Sequence, residues 1–164
     1  MAKLNSELAA FFETGDQPSE AEFGHLIDSM LPIPKVLPDG STALTKATYQ
    51  GHTLVVPNQT SASTFTMEQP AAAGEWYRFI NGHTAADAQD HVLTMTTALY
   101  KGAIQWINTT DSVATGESVF ADASDDVILT LNTPGAYEIN LLSLSTTVVY
   151  VWGFIGTDNT PVFS

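Results

Sequence analysis

The feature that most constrains this chain is a series of short β-rich runs that begins near Thr42 and continues to the C-terminus. Short runs rich in β-branched and aromatic residues, spaced by turn residues, are typical of antiparallel sandwiches and barrels. Residues 42–164 are therefore predicted to form an antiparallel β-sandwich or barrel domain. The runs are TLVVP, STFTM, EWYRFI, HVLTMT, AIQWI, DVILTL, AYEINLLSL and TVVYVWGFI.

The last of these runs is apolar on both faces of a strand. A strand with one solvated face normally alternates apolar and polar residues. At least one face of this strand is therefore expected to be covered by more than its own sheet, which implies a second sheet or a neighbouring subunit. The two faces consist of Val149, Val151, Gly153 and Ile155 on one side and Val148, Tyr150, Trp152 and Phe154 on the other.

Two helix signals precede the β-rich part. In KLNSELAAFFETG, apolar residues recur at helical spacing, and Gly15 stands where a left-handed C-cap is expected. Ser19 and Glu22 then have the spacing of a capping box, before a second apolar stripe that ends at Pro32. Short helices are marginal alone in water, so the predicted hairpin must pack on something.

The predicted organisation has three parts. The segment PIPKVLPDG cannot continue a helix, because it holds three prolines and a glycine, and it favours a linker. We therefore predict a helical hairpin arm over residues 1–31, a Pro-rich linker over 32–41 and the β domain over 42–164. The predicted fold class is α+β, mainly β.

Charge and composition exclude several classes of function. The net charge of −13 comes from 18 acidic and 5 basic residues, which disfavours nucleic acid and anionic membranes as partners. The absence of cysteine excludes disulfides, thiolate metal sites and cysteine nucleophiles. No apolar run approaches the roughly 20 residues needed to span a bilayer, and the N-terminus lacks the apolar core of a signal peptide. We expect a soluble protein made in a cytoplasm.

The densest polar constellation is the loop NGHTAADAQDH. Its side chains are of types that bind divalent metals or act as acid–base pairs. Their spacing matches no metal motif, so a solvated loop with caps at its ends is the preferred interpretation. The side chains are His83, Asp87, Asp90 and His91.

A second candidate is the acidic turn DASDD, with Asp122, Asp125 and Asp126. It lacks the glycine and the distal glutamate of an EF-hand loop, so a plain acidic turn is preferred. The chain also has no Gly-x-Ser-x-Gly elbow and no phosphate loop. We predict no catalytic, cofactor-binding or metal residues, and we expect the protein not to be an enzyme.

Three tryptophans, Trp76, Trp106 and Trp152, lie in strand-like runs, where core packing is the common use. A carbohydrate-binding face would need two or three aromatic residues at alternate positions on one exposed strand face. By that criterion Tyr150 with Trp152 is the candidate pair. Sugar binding is kept as a minor hypothesis.

The segment FFETGDQPSEAEFGHLIDSMLP resembles a segment near the N-terminus of many structural proteins of tailed bacteriophages. The recurring pattern there is YFETGD-P-(T/S)-x-x-(Q/E)-F-x-x-LIDS. The matching residues here are Phe12, Glu13, Thr14, Gly15, Asp16, Pro18, Ser19, Phe23, Leu26, Ile27, Asp28 and Ser29.

The remainder of the chain is similar to the β domain of phage head-decoration proteins. In those proteins a strand ending in proline is followed by (A)AG-x-x-Y-x-F and, near the end, by a W-x-x-G turn. The corresponding residues are Ala73, Gly74, Tyr77 and Phe79, and then Trp152 followed by Gly153 and Gly156.

The resemblance implies a non-enzymatic capsid decoration protein on the outer surface of the virion. It would bind the major capsid protein, stabilise the shell and form a symmetric homo-oligomer, with a trimer favoured. The alternative is a short tail-fibre or receptor-binding protein that touches host glycans, and a free carbohydrate-binding module ranks third. The predicted interface is the apolar stripe of the hairpin, consisting of Leu8, Phe11, Phe12, Phe23, Leu26, Ile27 and Met30.

Overall fold

The chain divides into two compact units, Met1–Ile33 and Pro34–Ser164. In the first unit, the backbone N–H of Phe23 donates to the Ser19 carbonyl at 3.0 Å, which is the bond of one helical turn. The rest of the predicted hairpin lies outside the described residues. The computed structural model describes residues 19–21, 23, 33–82, 85–109, 115–122 and 124–164.

The described part of the second unit is built from β-strands and one short helix, α1, at Lys46–Tyr49. The strands are β1 Lys35–Val36, β2 Thr42–Leu44, β3 Thr53–Val56, β4 Ser63–Met67, β5 Trp76–Asn81, β6 His91–Met95, β7 Leu99–Asn108, β8 Gly116–Asp122, β9 Ile128–Leu131, β10 Tyr137–Ser143, β11 Val148–Thr157 and β12 Val162–Phe163.

These strands form two sheets. One has the order β1-β3-β5-β10-β11-β7-β8 and the other the order β12-β9-β6-β4-β2. From β1 to β6 the chain alternates between the sheets, so each strand from β3 onward pairs in parallel with the strand two places before it. Later strands add antiparallel pairs, except that β11 also runs parallel to β7.

The core lies between the inner faces of the two sheets. Phe65 of β4 and Phe79 of β5 are both fully buried, and their ring centroids are 6.5 Å apart across this space. The Tyr100 hydroxyl of β7 donates to the Leu93 carbonyl of β6 at 3.2 Å. The two sheets therefore pack face to face, an arrangement compatible with a β-sandwich.

The predicted fold class, α+β with a hairpin arm and an antiparallel β domain, is wrong. The structure is mostly β with two mixed sheets, and no helical hairpin arm occurs among the described residues. The alternation of apolar residues indicates which face of a strand is buried, but it carries no information on strand direction. Strand direction depends on the connections between strands. Here the chain passes through the other sheet before it returns, and the returning strand runs parallel to the strand that the chain left.

The segment predicted as a linker, residues 32–41, contributes strand β1 to the edge of the seven-stranded sheet. Lys35 and Val36 pair with Leu54 and Val55 of β3, and the following Leu37 is only 2% exposed. Prolines on either side are consistent with an edge position, where a missing N–H costs no ladder hydrogen bond. The domain boundaries themselves remain a prediction.

Candidate functional site: an exposed aromatic face

The outer face of the seven-stranded sheet carries a group of exposed aromatic side chains. Tyr150, Trp152 and Phe154 project from alternate positions of β11 and are 40%, 41% and 41% exposed. Phe120 of β8 is 72% exposed on the same side of the sheet. We call these four residues the aromatic face. Large apolar side chains grouped in this way on a sheet mark a contact surface.

The side chains of β11 point outward because those between them fill the core. Val149, Val151 and Ile155 are buried between the sheets. Because successive side chains of a strand alternate in direction, the intervening aromatic residues must face away from the core. The five-stranded sheet covers the inner face of β11, as expected from the sequence, whereas the outer face remains two-fifths exposed.

Two glycines allow the aromatic strand to lie close to its neighbours. A Cβ atom on Gly153 of β11 would lie 2.0 Å from the Glu138 carbonyl oxygen, and one on Gly102 of β7 would lie 2.2 Å from the Val151 carbonyl oxygen. Both residues also have positive φ, 149° and 132°, a conformation that glycine adopts most readily. The aromatic face is therefore held by tight packing of β11 between β10 and β7.

A polar rim flanks the aromatic side chains on the β10 side. Arg78 Nη2 donates to Glu138 Oε2 at 2.8 Å, and Asn140 Nδ2 donates to Glu138 Oε1 at 3.1 Å. These two hydrogen bonds lower the pKa of Glu138, and the bond from Arg78 has the larger effect. The rim is thus an ordered network of paired groups. In register, Trp152 lies between Asn140 and Ala103, and Phe154 lies between Glu138 and Gln105.

The aromatic rings of Tyr150 and Trp152 lie side by side, with centroids 5.7 Å apart and planes inclined by 31°. Together with Phe154, they meet the criterion for a sugar-binding strand, which requires two or three aromatics at alternate exposed positions. Phe120 was missed by sequence reasoning. Strand β8, GESVFAD, carries Glu, Ser and Asp, so its sequence does not have the composition of a β-rich run.

Two side chains of the predicted polar loop are buried. Asp87 is 2% exposed and His91 is fully buried, so the interpretation as a solvated loop is wrong for these two residues. His91 Nε2 lies 3.0 Å from Asp87 Oδ2, and His91 Nδ1 lies 3.0 Å from the Tyr137 hydroxyl of β10. Asp90 accepts a hydrogen bond from the Thr133 N–H. His83 lies outside the described residues.

Asp87 is the centre of this buried polar network. Its Oδ2 also accepts the Gln59 N–H at 2.7 Å, and its Oδ1 accepts the Gln89 N–H at 3.0 Å. Burial alone would raise the pKa of Asp87, but the hydrogen bonds from Gln59, His91 and Gln89 outweigh burial and lower it. Burial raises the pKa of Tyr137 well above its usual range, so its hydroxyl stays protonated.

This protonation pattern satisfies every member of the network. An ionised Asp87 accepts only, so His91 Nε2 carries a proton and donates to it. His91 Nδ1 then accepts from the Tyr137 hydroxyl. Because none of the three side chains reaches solvent, the network cannot contact a substrate. Its role is to tie the loop before β6 to β10 in the opposite sheet.

The acidic turn brings its three carboxylates together as the sequence suggested. Ligand atoms of Asp122, Asp125 and Asp126 lie within 4.8 Å of one another. The Asp122 N–H donates to Asp126 Oδ2, and Ser124 donates to Asp122 Oδ1 through both its N–H and its hydroxyl. The two hydrogen bonds from Ser124, that of its hydroxyl and then that of its N–H, lower the pKa of Asp122. An ordinary acidic turn accounts for the arrangement, and we assign no metal to it.

The predicted interface residues of the hairpin lie outside the described residues, with the exception of Phe23. That side chain is 48% exposed. No helix in the described part of the chain has the length and apolar character needed to cross a membrane. The interface over residues 1–31 remains a prediction.

Comparison with known proteins does not identify a family. No protein-family model matches the chain, and no curated protein matches it at a significant level. The resemblance to phage structural proteins therefore depends on the sequence motifs quoted above, and the function is a proposal.

Proposed function

We propose that this chain is a non-enzymatic structural protein of a tailed-phage virion that decorates the capsid. It binds the major capsid protein on the outer surface of the shell and stabilises the shell against internal pressure. The single structural observation that supports the proposal is the aromatic face, since exposed groups of Tyr, Trp and Phe on a rigid sheet are characteristic of protein contacts.

Charge and the N-terminal motif support the same function. A chain of net charge −13 on the outside of a particle resists adhesion to nucleic acid. The phage-like segment supplies the predicted capsid contact, residues 1–31. Each large apolar side chain buried there contributes roughly 1.5–3 kcal/mol before the cost of docking, and repetition over a symmetric shell multiplies the effect.

The test is addition of the purified chain to capsids that lack decoration. We expect binding at a fixed ratio to the major capsid protein, measured by mass spectrometry of sedimented particles, and a higher temperature of DNA release. Changing Phe23 and Ile27 together to Asp would force charges into an apolar contact and should abolish both effects. Val162→Asp, at an exposed position of β12, is the control and should change neither.

Two outcomes would contradict the proposal in different ways. In the first, the wild-type chain binds no capsid, and in the second, the Phe23 and Ile27 double variant binds as fully as the wild type. The first outcome refutes capsid decoration itself. The second refutes residues 1–31 as the docking element and leaves decoration standing.

The second candidate is a tail-fibre or receptor-binding protein that contacts host glycans. The specific observation in its favour is the row Tyr150, Trp152 and Phe154 at alternate exposed positions of β11. Electron microscopy of virions labelled with an antibody to this chain separates the two candidates. Label over the whole head supports decoration, and label at the tail supports receptor binding.

A further inference from the structure

We propose that the aromatic face binds a second copy of this chain, an inference that rests on the proposed structural function and names the partner of that face. The occupant is another aromatic face, so that the seven-stranded sheets of two copies lie against each other. Charge, hydrogen bonding and shape on the outer surface of this sheet support the inference.

Charge permits self-association at this face. Copies with net charge −13 repel each other wherever acidic residues meet. The register of β5, β10, β11, β7 and β8 places two positive and two negative side chains on the outer face, giving a net charge of zero. A neutral face in an acidic chain is a surface on which two copies can approach without strong repulsion. The charged residues are Arg78, Lys101, Glu138 and Asp122.

Several polar groups around the aromatic face are paired with one another. Glu138 accepts from both Arg78 and Asn140, and Gln105 Nε2 donates to the Ser118 hydroxyl at 2.8 Å. Polar groups that are satisfied internally lose little when a partner removes water from them. A sugar would instead require directed groups that are free to bond its hydroxyls. The pairing therefore favours a protein surface of the same apolar kind.

The shape of the face also suits a second copy. Ala103 lies in register between Trp152 on β11 and Phe120 on β8. Two strand spacings of about 4.8 Å separate the flanking strands, so a small residue between two large ones leaves a shallow depression. Phe120 is the most exposed of the four aromatic residues at 72%. We infer that Phe120 of one copy enters the depression at Ala103 of the other.

The area is compatible with a specific interface once the rim is included. Aromatic side chains present about 150–250 Å² each, so the exposed parts of these four contribute on the order of 400 Å². A standard interface buries about 800 Å² per partner. The aromatic face therefore supplies about half of that area. Neighbouring outward residues of β7 and β10 can supply the remaining area, and these are Lys101, Gln105, Asn140 and Leu142.

The first test measures the mass of the full chain in solution by light scattering and sedimentation over a range of concentrations. We expect a defined oligomer for the wild type and at least 10-fold weaker association for Phe120→Lys and for Trp152→Lys. These changes reduce the net negative charge, so any dissociation cannot come from greater overall repulsion between the acidic chains. Val162→Lys is the control, because Val162 is 49% exposed on the other sheet, and it should leave association unchanged.

Salt provides an independent readout on the same samples. Association through a neutral apolar face should persist or tighten as salt screens the overall repulsion. Dissociation on raising the salt concentration would overturn the proposal, as would a monomeric wild type or unchanged association of both face variants. Circular dichroism and thermal melting check that each variant is folded before its mass is interpreted.

Cross-linking tests the geometry directly, because the chain has no cysteine of its own. Chains carrying Ala103→Cys are mixed with chains carrying Phe120→Cys and treated with a short bis-maleimide. We expect efficient linkage between the two, and none beyond background when Val162→Cys replaces either. Linkage that is equally efficient with Val162→Cys would overturn the proposed arrangement.

Failure of this inference and failure of the proposed function are distinguishable. A wild-type oligomer that dissociates in the face variants but never joins capsids supports the inference and refutes decoration. A monomeric wild type that nevertheless binds capsids refutes the inference alone. A monomeric wild type that binds polysaccharide, with loss of binding in Trp152→Lys, overturns the inference in favour of a sugar site.

Discussion

The change Asp87→Ala tests whether the loop before β6 is a solvated loop or part of the core. Asp87 accepts hydrogen bonds from the Gln59 N–H, the Gln89 N–H and His91 Nε2, at 2.7, 3.0 and 3.0 Å. Alanine at this position removes all three bonds. Both Gln59, at 5% exposed, and His91, at 0%, are buried, so water cannot easily replace the lost acceptor.

The magnitude follows from those contacts. Each buried donor deprived of its acceptor costs about 1–3 kcal/mol, and two such donors are affected. We therefore expect Asp87→Ala to lower the free energy of unfolding by about 2–6 kcal/mol. A solvated loop would instead predict a change within about 0.5 kcal/mol, the range typical of surface substitutions. The losses in unfolding free energy that the two interpretations predict therefore differ several-fold.

The assay is urea unfolding followed by circular dichroism, with the free energy taken from the midpoint and the m-value. Asp125→Asn, at an exposed position of the acidic turn, is the matched control and should remain close to the wild type. The double variant with Tyr137→Phe should lose less than the sum of the two single losses, because both changes act on His91. A loss below about 1 kcal/mol for Asp87→Ala would refute the role of this network.

Three further predictions concern pH, backbone packing and the surface ion pair. Because the pKa of Asp87 is lowered in the folded protein, the ionised carboxylate contributes fully to stability above about pH 4, and this contribution is lost as the pH falls through the folded pKa. The urea midpoint of the wild type should therefore drop more steeply in acid than that of Asp87→Asn. Gly153→Ala places a Cβ 2.0 Å from the Glu138 carbonyl at positive φ, and differential scanning calorimetry should show destabilisation well above 1 kcal/mol, whereas Gly116→Ala should not. Glu138→Gln breaks a half-exposed pair with Arg78 and should cost no more than about 1 kcal/mol in urea unfolding at low salt.

Much of the strand content follows from the sequence alone. The runs TLVVP, STFTM, EWYRFI, HVLTMT and AYEINLLSL coincide with β3, β4, β5, β6 and β10. Period-two alternation is a local property, since each side chain's direction depends only on its position in the strand. For the same reason the two apolar faces of β11 follow from the sequence, whereas which of them is the outer face does not.

The pairing of strands was decided by the tertiary structure. Parallel pairing of β3 with β5 and of β4 with β6 depends on connections that cross between sheets, and no residue within a strand specifies it. Strand β8 has little apolar character of its own and forms because β7 offers a free edge. The exposure of Phe120, and its position in register with Ala103 and Trp152, therefore follow from strand order.

The sequence by itself determined the absence of thiol chemistry, the acidic charge and the apolar character of both faces of β11, because these are properties of composition and of neighbouring residues. Only the tertiary structure decided which polar residues are buried. His91 meets Tyr137 across a separation of 46 residues, and Gln59 meets Asp87 across 28. Such contacts join parts of the chain that share no local pattern, so a segment that is polar in sequence becomes part of the core when the two sheets close over it.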